Sequence, residues 1–123
     1  MIIGVGVDIV DLARFDRQLS RTPRLLERLF AIGERDLPRH SLAARFAAKE
    51  AMIKALGRSD GMRWVDVEVV ADEHGNPGFA LSGAIAGVAD ARGITAWHLT
   101  MTHDAGIACA FVVAEGRDAE GEA

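Results

Sequence analysis

A single cysteine, Cys109, in 123 residues leaves no partner for a disulfide within the chain. A covalent framework is excluded, and the composition fits a reducing cytoplasm. Long hydrophobic runs are missing as well. The longest, from Ala80 to Ala89, includes Ser82 and two glycines and is too short to cross a bilayer, so no membrane partner is expected. Met1 leads straight into a strand-like pattern with no basic segment before it, so no signal peptide is expected. Aromatic residues are scarce, at 6% with no tyrosine, and are not interleaved with the basic residues. Together with a net charge of −4, this argues against nucleic acid as a partner. One absence is local. Residues 14–63 hold twelve Lys/Arg but only six Asp/Glu, while the rest of the chain holds two Arg and twelve Asp/Glu. The basic half points to an acidic or phosphorylated partner. Half of the residues are hydrophobic, enough for one domain with a real core over residues 1–114. An acidic tail, 115–123, is expected to be flexible.

What the chain does have is centred on Arg45-Phe46-Ala47-Ala48-Lys49-Glu50-Ala51-Met52-Ile53-Lys54-Ala55-Leu56-Gly57. The residue types predict one helix, starting at or just before Ser41 and closed by a glycine able to take the left-handed conformation. With Arg45 at zero, Leu56, Leu42, Ile53 and Phe46 fall at roughly 20°, 60°, 80° and 100° on a 3.6-residue wheel. Alanines fill most of the opposite arc, so no face is left for water. A helix apolar nearly all round should be buried, and its charges must then pair, bind a metal or meet a charged ligand. Arg45 and Lys49 are like charges four residues apart and want an anion between them, while Glu50 and Lys54 are opposite charges in the favourable order. The plainer reading has Arg45 and Lys49 reaching to water and Glu50 and Lys54 forming a surface pair.

Upstream, Ile2 to Val10 alternates as a strand, with Ile3, Val5, Val7 and Ile9 on one face and Gly4, Gly6 and Asp8 on the other. The two glycines leave room for a ligand or another backbone beside the carboxylate. Asp8 could equally cap the next helix, Asp11 to Leu19. That helix carries Arg14, Arg17 and Arg21 outside, and a second helix, capped by Thr22 with Pro23 in its first position, adds Arg24 and Arg28. The five arginines read either as a solvated face or as a docking surface for an acidic partner. A loop or single turn over residues 33–39 brings Glu34 and Asp36 near the central helix. Val65, Val67 and Val69 alternate as a strand, Asp72 to Gly78 is a turn, Ser82 caps a small-residue helix, and two strands, Thr95–Thr102 and Gly106–Val113, close the domain as a hairpin. His103, at a strand end between Thr102 and Asp104, is the one histidine set apart; by itself it reads as a surface turn residue. His40, His74 and His98 receive no role.

Taken together, the Gly4-to-Asp8 strand, the Arg45-to-Ala55 segment and Thr102-His103 closely resemble the holo-[acyl-carrier-protein] synthase family, the small 4′-phosphopantetheinyl transferases. The resemblance covers nearly the whole chain. Threonine stands where the family usually has serine before the histidine, and Asp104 where it has a small hydroxyl residue. The resemblance implies an α+β fold with a small antiparallel sheet packed against the long central helix. It implies Mg²⁺-dependent transfer of the phosphopantetheine arm of coenzyme A to a serine of apo acyl carrier protein, in the cytoplasm, in support of fatty acid biosynthesis. Asp8 and Glu50 match the family's metal ligands. Lys54 should meet the pyrophosphate, and Glu50, Lys54 and His103 are the catalytic candidates. Arg45, Lys49, Thr102 and His103 should help hold coenzyme A, with Gly57 and the Asn76-Pro77 turn bordering its nucleotide. The serine proton leaves through Glu50 or a metal-bound water. Arg14 matches the docking position for the acidic carrier protein, with Arg17, Arg21 and Arg24 as neighbours, and homotrimers with active sites at the subunit interfaces are implied. Two other classes share part of the pattern. Another Mg²⁺-dependent phosphate-transfer or phosphohydrolase enzyme would use Asp8 and Glu50 but not the arginine helices, and a non-catalytic module for acidic helices would tolerate Glu50→Gln.

Overall fold

The computed structural model describes residues 1–117. Strand β1 (Ile2–Asp11) leads into helices α1 (Leu12–Arg21), α2 (Leu25–Leu29) and α3 (Arg39–Leu56), with a short 3₁₀ turn at Ile32–Glu34 before α3. A second 3₁₀ turn, Trp64–Asp66, precedes the hairpin of β2 (Val67–Ala71) and β3 (Pro77–Leu81). Helix α4 (Gly83–Ala91) and the strands β4 (Ile94–Asp104) and β5 (Ile107–Gly116) complete the described chain. The expected α+β class holds, with two antiparallel sheets: a three-stranded one ordered β1-β5-β4, and the separate β2-β3 pair. Among the described residues no helix is long and apolar enough to cross a membrane.

Helix α3 is the element against which the rest packs. Ten of its residues are buried, among them Leu42, Ala47, Ala51, Met52 and Leu56. Gly57 ends it with φ 78°, a left-handed conformation, and donates its N–H to the Ile53 carbonyl. The alanine arc does what small residues permit: it lets the helix lie directly on β1. A Cβ at Gly6 would stand 1.9 Å from the Ala51 carbonyl oxygen, and one at Gly4 the same distance from that of Ala55. The room left by the two glycines is therefore taken by another backbone rather than by a ligand. Gly6→Ala forces α3 off the sheet, and chemical denaturation should show a loss of about 3 kcal/mol or more, at the upper end of overpacking costs.

Because the glycine face of β1 is the inner one, its apolar face points outward. Val5, Val7 and Ile9 are exposed, as is Phe111, which pairs with Val7 across the β1-β5 ladder.

Local punctuation differs from expectation at several points. Asp11, not Asp8, caps α1, accepting the Arg14 N–H at 2.8 Å, which leaves Asp8 to other contacts. Thr22 ends α1 through its backbone N–H to Gln18, and only its carbonyl reaches forward, to Leu25; α2 starts at Leu25, and Arg24 before it makes no side-chain cap. Val65 lies in a 3₁₀ turn, so β2 begins at Val67. Ser82 sits at the start of α4 but gives its hydroxyl to Asp66 (3.2 Å) instead of to the helix. Glu115 and Gly116, expected to begin the tail, are strand: the Gly116 N–H donates to the Met1 carbonyl, and His98 Nε2 lies 2.9 Å from Glu115 Oε1. The last part of the expected tail, 118–123, lies outside the described residues.

Candidate active site

Asp8 projects from the inner face of β1, two residues beyond Gly6, and meets the edge of α3 that carries Glu50 and Lys54 one turn apart. The three line an open cleft of about 430 Å³, together with Arg14 and Gln18 of α1 and Phe46 of α3. The Lys54 ammonium donates to Asp8 Oδ1 at 3.1 Å and to the Val7 carbonyl at 3.0 Å. It thus reaches Asp8 rather than Glu50, and the expected Glu50–Lys54 surface pair does not form. Glu50 is half-buried. Burial, and then the negative charge of Asp8, push its carboxyl above the usual range, with Lys54 pulling the other way. A half-buried carboxyl beside a second carboxylate, with cations at the rim and an aromatic wall, forms a place that holds a small cation and an anion together. Among the described residues no cluster of three or more metal-ligating side chains occurs. A pair of carboxylate oxygens is nevertheless what Mg²⁺ takes from a protein when substrate phosphates and waters supply the rest of its octahedron.

Lys49 is a correction. It does not face the cleft and cannot hold substrate phosphates. Its side chain is fully buried, donating to Glu34 Oε1 at 2.6 Å, to the Leu29 carbonyl at 2.7 Å and to the Trp64 carbonyl at 3.3 Å, with the Phe30 ring 5.0 Å away. The anion wanted by Arg45 and Lys49 is internal. Glu34 is itself buried; its Oε2 lies 3.7 Å from Arg45 Nε and accepts the Val69 N–H at 3.2 Å. Arg45 Nε is buried without a hydrogen bond.

Residues 4–112 match the family described as ACPS, the 4′-phosphopantetheinyl transferase superfamily. The holo-[acyl-carrier-protein] synthase of Clavibacter michiganensis is 64% identical over 116 residues, covering 94% of this chain and 98% of that protein. The chain belongs to the holo-[acyl-carrier-protein] synthase family. Solved structures agree with the fold. The Neisseria meningitidis synthase superposes with a TM-score of 0.85 at 33% identity, covering 94% of this chain and 99% of the other. A coenzyme A complex of the ACPS from Chronobacterium ammoniagenes gives 0.82 at 31%, covering 93% and 97%.

In this transferase the other expected site residues are dispersed. Arg14, Arg17, Arg21 and Arg24 are all exposed on α1 and the start of α2, and Arg14 also lines the cleft, so the basic face and the carboxylate pair adjoin. Gly57 is exposed one turn beyond Lys54. Asn76 and Pro77 belong to the separate β2-β3 hairpin and do not line the cleft. Thr102 and His103 also stand away from it. Thr102 is exposed on β4, and the His103 ring packs on His40 at 5.1 Å, ten residues and therefore about 15 Å along α3 from Glu50. Asp104 is exposed and accepts the Ala105 N–H at 2.9 Å in the β4-β5 turn. The sequence reading missed Gln18 as a cleft residue and the buried role of Glu34. A signal for Glu34 existed in the like-charge spacing of Arg45 and Lys49.

Proposed function

We propose that this chain transfers the 4′-phosphopantetheine arm of coenzyme A to a serine of apo acyl carrier protein in the cytoplasm, making holo carrier protein for fatty acid biosynthesis. The observation that carries the reading is the convergence of Asp8, Glu50, Lys54 and Arg14 on one cleft in a member of this family. In the reaction the serine oxygen bonds to the phosphorus that bears the pantetheine arm. The pyrophosphate P–O bond breaks, and adenosine 3′,5′-bisphosphate leaves. Such transfer needs positioning and charge neutralisation above all. Asp8 and Glu50 would hold Mg²⁺, which when bound neutralises the pyrophosphate as a Lewis acid. Lys54 meets the phosphate oxygens and stabilises the charge that develops on the leaving group. Glu50 lines the same cleft and is its candidate acceptor for the serine proton. Incubation of apo carrier protein with the chain, coenzyme A and Mg²⁺ should add the mass of one phosphopantetheine arm, seen by intact-protein mass spectrometry and lost on chelation. Consumption of coenzyme A with no change in carrier-protein mass would instead favour a phosphohydrolase.

The arginine face divides the labour. Arg14→Glu should raise KM for the acidic carrier protein about tenfold, the equivalent of about 1.4 kcal/mol, and leave coenzyme A binding by calorimetry intact. Equal loss of both would refute the division.

The functional unit is a homotrimer with shared sites. Val5, Val7, Ile9 and Phe111, each between 44% and 61% exposed, place an apolar patch on the outer face of the sheet, which a second copy would bury. Within one chain Thr102 and His103 lie away from the cleft, so a neighbouring copy would bring them to coenzyme A. Co-expressed Glu50→Gln and His103→Ala chains should then form mixed trimers with activity that neither variant shows alone. Mixed trimers as inactive as the parents would refute a site shared in this way.

A further inference from the structure

Lys54 is an unusual neighbour for a metal-binding carboxylate. Its ammonium rests on Asp8 Oδ1 at 3.1 Å and on the Val7 carbonyl at 3.0 Å, both acceptors on β1. The Asp8 side chain is only 18% exposed while that of Lys54 is 54% exposed, so the lysine closes over the carboxylate from the solvent side on a stem that is free to swing. Glu50, one turn back on α3, lines the same cleft. We propose that Lys54 is the resident counter-cation of this pair: it neutralises Asp8 in the free protein, resists a divalent cation that arrives alone, and moves to the substrate's phosphates when cation and coenzyme A bind together.

This role of Lys54 rests on Asp8 and Glu50 being the metal pair and sets how that pair is occupied. An ammonium and a divalent cation cannot share one carboxylate oxygen without repulsion in a half-buried site. A cation arriving alone must therefore either take the other Asp8 oxygen against the repulsion of the ammonium beside it or expel Lys54 into water, with the loss of both of its hydrogen bonds. When pyrophosphate is present, the displaced ammonium gains a new anionic acceptor, and the same displacement becomes favourable. Metal and coenzyme A are then positively coupled through one side chain. By linkage, each raises the affinity for the other by the same factor.

The test uses the full chain and Mn²⁺ as the probe ion, with binding read by electron paramagnetic resonance up to millimolar metal, with and without coenzyme A. Lys54→Met keeps most of the stem and removes the charge at a largely exposed position, so the fold is retained. Without coenzyme A, the variant should bind Mn²⁺ about tenfold more tightly than the natural chain, and the enhancement produced by coenzyme A should shrink by a similar factor. An unchanged or weaker affinity in Lys54→Met without coenzyme A overturns the proposal, and this includes the case in which neither chain binds. Asp8→Asn tests the underlying reading separately. It should lose Mn²⁺ in both conditions, and if it binds like the natural chain, the assignment of the carboxylate pair fails along with the proposal.

Discussion

Lys49→Ala should cost the fold about 3–5 kcal/mol in chemical denaturation, the range for breaking a buried ion pair from one side. The reason lies in what is left behind. Glu34 is 1% exposed, and without Lys49 it keeps a carboxylate in the core with the Ala31 N–H at 3.0 Å, the Val69 N–H at 3.2 Å and the distant Arg45 as its remaining partners. Burial lowers the pKa of Lys49, and Glu34 is the first of the influences that hold it up. The pair is therefore self-consistent only while both members are present. Replacing both charges, with Glu34→Gln and Lys49→Met, should recover at least half of the loss, because neither position then buries an unpaired charge, only the more distant and partly exposed Arg45 losing its counter-charge, and a methionine fills the lysine stem's volume. A loss below about 1 kcal/mol in the single variant is typical of an exposed pair and would contradict the burial described here. The pair also ties distant pieces together: through Leu29, Trp64 and Val69 it joins α2, the second 3₁₀ turn and β2 to α3. Loss of Lys49 should therefore also loosen α2, detectable as faster amide exchange at Leu29 and Phe30.

The same residues show what could be read from the chain order and what could not. The central helix was legible because its composition left no solvated face and a glycine stood at its end. Strand β1 was legible from its period of two, but which face was the core was not. The usual rule would bury Val5, Val7 and Ile9, whereas the structure exposes them and buries Gly6, because the alanine arc of α3 packs backbone to backbone on the glycines. The need for an anion beside Arg45 and Lys49 was legible too. Its source was not: spacing on one helix cannot tell an internal carboxylate fifteen residues away, delivered by a 3₁₀ turn, from a ligand's phosphate. The Asp8, Glu50 and Lys54 grouping was readable because two elements suffice to form it. Thr102 and His103 had a place in the motif order, but the fold of one chain does not carry them to the cleft.

Glu50→Gln should reduce phosphopantetheine transfer by a factor on the order of 10³, the scale for removing a preorganised electrostatic partner of the transition state. The substitution keeps the shape of the side chain and changes only its charge and proton affinity, so stability should hold while turnover falls. Retained turnover would leave Glu50 as a helix-edge carboxylate with no part in the reaction. The residue's environment makes a second reading possible without substrate. In the metal-free protein, nuclear magnetic resonance should show the Glu50 carboxyl titrating above the ordinary carboxylate range, because burial and the Asp8 charge both disfavour its ionised form. Asp8→Asn removes a negative neighbour and should bring the titration down, while Lys54→Met removes the opposing positive charge and should take it up. Linkage gives the sign for the fold as a whole. A carboxyl whose folded pKa is raised favours the folded state below its unfolded pKa, and this contribution is lost as pH rises through the folded pKa. The metal-free protein should therefore gain stability from Glu50 on mild acidification, and a divalent cation, by favouring the ionised carboxylate, should reverse that trend. Were Glu50 to titrate as an ordinary exposed glutamate and ignore both substitutions, the close coupling of the three side chains would be refuted.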